Sequence, residues 1–281
     1  MYVKIPTKNE RANLNYILPI RREIVKEIMD ILDDRRKEIY LLYHFAIVGT
    51  DRLTDYGLRE VEFISLCKDL MMRVWNKEGY QSIDEYETNI VELTQKLRGL
   101  HDEGFSFAKH VYESLLDNFD GNYKDVARRW MILSEKNLKE LRVAVTQPYL
   151  LGLLHLLIPE ITRNQAVKLS LGYSLPGKVA DDLADFQEDV PLGFINVPKE
   201  EIENLSGILL EGDKVTVVYK NELKLKDTYI SEKIKEVEKM YKDADKKLEE
   251  ILSEYPNHET TLKLFKKHCY SWLKEAKEKY S

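Results

Sequence analysis

The chain has 281 residues, of which 43% are hydrophobic and 33% are charged, and only 12 Gly and 8 Pro punctuate it. This apolar share supports a sizeable core, and so few turn residues argue against an all-β fold. The formal net charge of -6 lacks the basic excess by which nucleic-acid-binding proteins neutralise phosphate. Because no linker, repeat or low-complexity tract interrupts the chain, we expect a single domain over 1–281.

Cysteine usage and hydropathy predict a cytoplasmic protein. Cys67 and Cys269 stand far apart without paired spacing, so neither a disulfide framework nor a zinc site is expected. The first ten residues carry no signal-peptide core. The most apolar stretch, 149–159, is much shorter than the ~20 residues that a membrane-spanning helix needs. It predicts a buried core helix.

Helical periodicity dominates the chain from its first isoleucines onward. The sequence predicts helices over 17–31, 35–48, 58–75, 83–100, 104–118, 123–147, 164–187, 229–254 and 257–279. Pro148 is expected to break or kink the helix before the apolar stretch. The proline-bounded segment 190–198 predicts a loop, and β-branched residues around a Glu-Gly-Asp turn predict a small β-hairpin near 207–225.

Two acidic clusters each follow an apolar helical run. The first contains Asp51 and Asp55, and the second is a stripe of three residues at four-residue steps, namely Asp181, Asp185 and Asp189. Residues four apart share one helix face, whereas Asp182 is rotated away. Such carboxylates repel one another unless a cation neutralises them, and they suit a Mg²⁺ ion that bridges to substrate phosphates. Either cluster alone is also compatible with a solvated helix face; together they favour a Mg²⁺–diphosphate site.

Basic and aromatic side chains near the clusters are candidates for substrate binding. Basic groups can neutralise phosphate, and aromatic faces can line an apolar pocket or stabilise a cation. A structural alternative stays open for each, either a surface ion pair or ordinary core packing. The candidates are Arg52, Arg59, Lys178, Tyr43 and Phe45.

The segment 178–202 resembles the second aspartate-rich region of the squalene/phytoene synthase family. That region runs Asn-x-x-Arg-Asp-x-x-Glu-Asp, followed by a Gly loop that ends in an aliphatic-Pro step; Glu188, Asp189, Gly193, Val197 and Pro198 match it. The segment 35–55 is similar to the family's first region, an aromatic helix that leads into Asp-x-x-x-Asp. The resemblance covers about half of the chain. It implies an all-α class I isoprenoid synthase fold, a helical bundle around a central cavity.

The resemblance also implies a function: a Mg²⁺-dependent prenyltransferase that condenses two allylic prenyl diphosphates, such as farnesyl or geranylgeranyl diphosphate, head to head. The five aspartates of the two clusters would hold the metal.

Three positions depart from the family pattern. A phosphate-contacting arginine is replaced by Ile47 or Val48, depending on the register, a second arginine by Ala184, and an asparagine by Asp181. A single-substrate terpene synthase and a non-catalytic binding or regulatory protein with the synthase fold therefore stay open. So do product chain length, oligomeric state and a peripheral contact with membranes, where so hydrophobic a product would have to go.

Overall fold

The computed structural model describes residues 19–55, 59–81, 84–217 and 222–281, without the side chains of residues 19–21, 51, 52 and 55. Within these residues the chain is mostly helical, which confirms the all-α prediction. The helices are α1 (Pro19–Ile31), α2 (Asp34–Asp55), α3 (Glu62–Trp75), α4 (Glu85–Asp102), α5 (Ser106–Ala127), α6 (Glu135–Leu157), α7 (Arg163–Ala184), α8 (Phe186–Asp189), α9 (Asp227–Glu254) and α10 (Glu259–Lys279). Short 3-10 turns lie at Val190–Leu192, Lys199–Asn204 and Pro256–His258.

A small β element lies between α8 and α9, as predicted. Strand β1 (Leu205–Ser206) pairs antiparallel with β4 (Lys224–Leu225), and β2 (Ile208–Glu211) pairs antiparallel with β3 (Lys214–Val217). Gly212 has a φ of 63° in the turn that joins β2 to β3, a conformation that glycine adopts without steric cost. The hairpin rests on the segment after α5, where the N–H of Ile132 donates to the carbonyl of Asp213 at 2.9 Å.

The sequence predicts helices over 104–118 and 123–147, and the boundary between these two helices is wrong. Helix α5 continues to Ala127, and the chain then leaves the helix until α6 begins at Glu135. Trp130 has a φ of 63°, which a right-handed helix cannot contain. The hydroxyl of Ser134 accepts a hydrogen bond from the N–H of Asn137, so it caps the new helix in the usual way.

Pro148 does not end a helix, and the apolar stretch is not a separate one. Pro148 and residues 149–157 of the stretch lie inside α6, which ends at Leu157. The side-chain amide of Asn118 on α5 donates to the carbonyl of Val145 at 2.8 Å, in the turn before the proline. Gly121 allows this approach, because a Cβ there would lie 2.3 Å from the carbonyl oxygen of Ala144. Packing against α5 therefore offsets the local cost of the proline.

Helix α7 lies in the middle of the bundle, packed against α6, α9 and α10. Its first turns contribute to the main core, which the long helices share. Its last turn contributes to a second, smaller core, in which Leu183, Phe186, Ile195 and Val215 pack together. The acidic end of α7 thus lies at the junction of the two cores. None of the described helices is long and apolar enough to cross a membrane.

Candidate functional site

The acidic stripe follows a nearly continuous helical path although α7 ends at Ala184. The N–H of Asp185 donates to the carbonyl of Asp181 at 2.8 Å, and the N–H of Asp189 donates to the carbonyl of Asp185 at 2.9 Å. These are the i to i−4 bonds of an α-helix. The predicted four-residue register of the stripe is therefore carried by the backbone across the junction of α7 and α8.

Lys178 lies next to the stripe, one turn before it. Its Nζ is 3.0 Å from Oδ2 of Asp181 and 3.1 Å from Oδ1 of Asp182. Burial disfavours the charged ammonium, but the carboxylates of Asp182, Asp181, Asp189 and Asp125 outweigh burial and hold the pKa of Lys178 well above its ordinary value. Lys178 is thus a permanent positive charge inside the acidic cluster.

Asp182, which the spacing rotates away from the stripe, belongs to a buried ion pair. Nε of Arg142 donates to Oδ2 of Asp182 at 2.7 Å, and a terminal nitrogen of the same guanidinium donates to the carbonyl of Asn196 at 2.7 Å. The contact joins α6 to α7 and to the loop that follows α8. Sequence analysis missed Arg142, since no local pattern connects residues that are 40 positions apart.

Asp189, the last carboxyl of the stripe, is strongly perturbed. Burial raises its pKa to about 8; Lys178 acts in the opposite direction, and Asp182, Asp185 and Asp181 add to the rise. The side-chain amide of Asn196 donates to its Oδ2 at 3.2 Å. The buried Asp189 carboxyl therefore keeps its proton to a higher pH than an exposed aspartate does.

The sequence analysis did not identify Asn196 or Arg128 either. The amide oxygen of Asn196 accepts from Arg128, whose guanidinium also donates to Asp125 at 2.8 Å and to the carbonyl of Ile195 at 3.0 Å. The Asn196 side chain therefore connects Arg128 with Asp189. Only its place in the predicted loop 190–198 could have drawn attention to it.

The first acidic cluster lies in the last turn of α2, because this helix extends to Asp55, beyond its predicted end at 48. The side chains of Asp51, Arg52 and Asp55 lie outside the described residues. The carbonyl of the neighbouring Thr54 accepts a hydrogen bond from Arg129, whose guanidinium carbon lies 4.9 Å from the ring centroid of Phe194. The end of α2 is thus close to the loop that follows the second cluster.

The other candidate substrate-binding residues have partners elsewhere. Arg59 pairs with Asp84 at 2.5 Å, at the start of α4. The hydroxyl of Tyr43 donates to the carbonyl of Tyr149 at 3.0 Å, and Phe45 is fully buried in the main core. In the described structure these three side chains serve an ion pair and the core.

The positions where the family's arginines are replaced are buried or half-buried. Ala184 is buried in the second core, and its carbonyl accepts from Lys279 of α10. Ile47 and Val48 are half-buried and pack against the main core. Cations that contact the second cluster come from other positions, namely Lys178 and Arg142, and Arg128 is linked to Asp189 through Asn196.

The second acidic cluster suits a hard cation, because its donor atoms are oxygens and its side chains are acidic. Carboxylate oxygens are the ligands that Mg²⁺ prefers, and the neighbouring carboxylates of the cluster add to the effect of burial in raising the pKa of Asp189. Among the residues that the structure describes, no three Asp, Glu, His or Cys side chains are arranged to hold a metal ion. A complete ligand set would therefore need a contribution from the first cluster or from substrate phosphate.

In comparisons with known proteins, no protein-family model and no curated protein matched this chain. The resemblance to squalene/phytoene synthases therefore stays a prediction from the sequence.

Proposed function

We propose that the chain is a Mg²⁺-dependent prenyltransferase that acts on allylic prenyl diphosphates, with head-to-head condensation as its reaction. The main support is the crowding of carboxylates at the end of α7, where Asp181 and Asp182 share the ammonium of Lys178 at 3.0 and 3.1 Å. The neighbouring carboxylates also add to the effect of burial in raising the pKa of Asp189. Such crowding costs stability unless a bound cation relieves it. Further support comes from Arg129, which connects the end of α2 with the loop beyond the crowded carboxylates.

In this proposal both acidic clusters contribute ligands to the metal. Bound Mg²⁺ would stabilise the negative charge of the departing diphosphate. Lys178 adds a fixed positive charge within the second cluster. Arg142 holds Asp182 and the carbonyl of Asn196, so it keeps the helix end and the loop in one arrangement. The metal ligands would be Asp51, Asp55, Asp181, Asp185 and Asp189.

Two alternatives each have a specific observation in their favour. A single-substrate terpene synthase would need fewer phosphate-binding cations, and the buried Ala184 carries none. A non-catalytic binding or regulatory protein would use its carboxylates for structure. Asp182 and Asp189 do contact Arg142 and Asn196, which is the pattern expected of a structural network.

The decisive experiment is thermal melting of the wild type with Mg²⁺, with farnesyl diphosphate, and with both. A ligand that binds only the native state raises the melting temperature, and at 100 times its Kd it adds about 2.7 kcal/mol to the stability. Asp185→Ala removes one carboxylate of the stripe. Glu188→Ala is the matched control, because Glu188 lies in α8 but is exposed.

A rise that needs both ligands, disappears in Asp185→Ala and persists in Glu188→Ala would support the site and justify product analysis. If no prenyl diphosphate from geranyl to geranylgeranyl stabilises the wild type, the proposed function is wrong, and a search for protein partners should follow.

A further inference from the structure

Three consecutive residues between α5 and α6 run alongside the loop 193–196 in the opposite direction. Arg128 donates to the carbonyl of Ile195 at 3.0 Å, the guanidinium of Arg129 lies over the ring of Phe194, and the N–H of Trp130 donates to the carbonyl of Gly193 at 2.7 Å. We call residues 128–130 the clasp. Each clasp residue contacts its own part of the loop, so the two segments form one unit.

The clasp is anchored on both sides. Arg128 pairs with Asp125 in the last turn of α5, and the carbonyl of Trp130 accepts from the N–H of Val215 in β3 at 2.8 Å. The indole of Trp130 covers Gly193, where a Cβ would lie 2.8 Å from the ring. The clasp therefore has a defined position relative to the loop and to the hairpin.

Arg129 is the clasp residue that also contacts α2. Its guanidinium donates to the carbonyl of the buried Thr54, one residue before Asp55. A guanidinium is planar, so it can stack on an aromatic ring and donate in its own plane at the same time. One side chain thus contacts both the end of the helix that carries the first acidic cluster and the loop that follows the second.

We infer that Arg129 is a positioning residue that fixes the separation between the end of α2 and the loop after Asp189. Its effect on ligand binding rests on the proposed function, in which both clusters contribute to one site. Residues that orient metal ligands from outside the first coordination shell typically change affinity by roughly 10- to 100-fold when they are replaced. We expect Arg129→Ala to lower the affinity for the ligand by this factor.

The separation can be measured without any ligand. Spin labels at Glu60→Cys and Glu188→Cys, both exposed positions, report the distance between the segment after α2 and α8 by double electron–electron resonance. The native Cys67 and Cys269 are buried, and burial raises the pKa of both thiols, so they stay unlabelled in the native protein. The variants are Arg129→Ala, Arg129→Lys and Phe194→Leu. Arg163→Ala is the control.

We expect the distance distribution to broaden or shift in Arg129→Ala, and to a smaller extent in Arg129→Lys, which keeps a donor but loses the planar stack. Arg163→Ala, which removes an ion pair to Glu113 at the start of α7, should match the wild type. Wild-type distributions in both Arg129 variants would overturn the inference. If circular dichroism shows that Arg129→Ala does not fold, Arg129→Lys and Phe194→Leu take its place. Wild-type distance distributions in both of these variants would then overturn the inference.

A binding measurement separates this inference from the proposed function. The Kd for farnesyl diphosphate with Mg²⁺ should rise by roughly 10- to 100-fold in Arg129→Ala and stay unchanged in Arg163→Ala. If the distance changes but the wild type binds no prenyl diphosphate, positioning by Arg129 stands and the proposed function fails. If the wild type binds while distance and Kd are unchanged in Arg129→Ala, the proposed function stands and the positioning role fails.

Discussion

Arg142 of α6 and Asp182 of α7 form an ion pair with very little access to solvent, since their side chains are only 11% and 3% exposed. Removing two charges from water costs several kcal/mol per ion, and the interior repays this only where the remaining polar atoms are also bonded. Here the second guanidinium nitrogen bonds the carbonyl of Asn196, and the other carboxylate oxygen forms an ion pair with Lys178 at 3.1 Å but accepts no hydrogen bond from the described residues. The pair thus fixes α6, α7 and the loop after α8 relative to one another.

Replacing Arg142 should therefore be costly. We expect Arg142→Ala to lower the free energy of unfolding by about 3 kcal/mol, at the lower end of the range for a broken buried pair, because Lys178 still faces Asp182. Denaturant unfolding at neutral pH measures this change. Arg163→Ala is the control, since its pair with Glu113 is 54% exposed on the arginine side and should contribute about 0–1 kcal/mol. Equal losses in the two variants would contradict a buried role for Arg142.

The acidic stripe could be predicted from the sequence because four-residue spacing is a local property of a helix. The hairpin could be predicted for a similar reason, since the turn at Gly212 is signalled by its own residues. Arg142 and Asn196 could not, because their roles depend on how α6, α7 and the loop pack. The break after Ala127 was missed because Trp130 adopts a left-handed conformation without being a glycine.

Gly193 should resist substitution for two separable reasons. Its φ of 96° is unfavourable for other residues, and a Cβ would lie 2.8 Å from the Trp130 ring. We expect Gly193→Ala to destabilise the protein by roughly 1–3 kcal/mol from the backbone conformation, with the contact adding to this. Gly104 has the same φ but no atom within 4 Å of a Cβ, so Gly104→Ala measures the backbone cost alone. If Gly193→Ala and Gly104→Ala lower the stability equally, the Trp130 ring moves away from the added methyl group without measurable cost.

His155 should make the protein sensitive to acid. Burial, together with the positive charges of His110 and Arg163, lowers its pKa from 6.5 to about 3. Neither ring nitrogen has a hydrogen-bond partner among the described residues. Between about pH 6.5 and 3 the unfolded chain therefore binds a proton that the native state does not. The free energy of unfolding falls with decreasing pH across this window, by up to about 1.4 kcal/mol per pH unit.

The test is the pH dependence of unfolding in His155→Leu, which removes the titrating group. Its stability should fall less steeply between neutral pH and pH 4 than that of the wild type. Leu153 is fully buried in the same helix and does not titrate. Leu153→Val should therefore alter the stability but keep the wild-type dependence of stability on pH. A slope unchanged in His155→Leu would show that His155 does not contribute to the acid response.

Lys178 offers a test of whether the acidic stripe binds a cation. Lys178→Met removes the charge but keeps a side chain of similar length, so Asp181 and Asp182 lose their nearest ammonium. In the presence of a chelator we expect a lower melting temperature than for the wild type. If the cluster binds Mg²⁺, the ion replaces the missing charge, and the rise in melting temperature with added Mg²⁺ should be larger in the variant.

Lys168→Met is the matched control, because Lys168 lies on the same helix but forms an exposed pair with Glu250. A larger response to Mg²⁺ in Lys178→Met than in Lys168→Met would identify the second cluster as a cation site, since Lys178→Met leaves two adjacent carboxylates to be neutralised and Lys168→Met leaves one exposed carboxylate. Equal responses would mean that Arg142 and the other cations of the protein already balance these carboxylates. The cluster would then be a structural network, as the non-catalytic alternative requires.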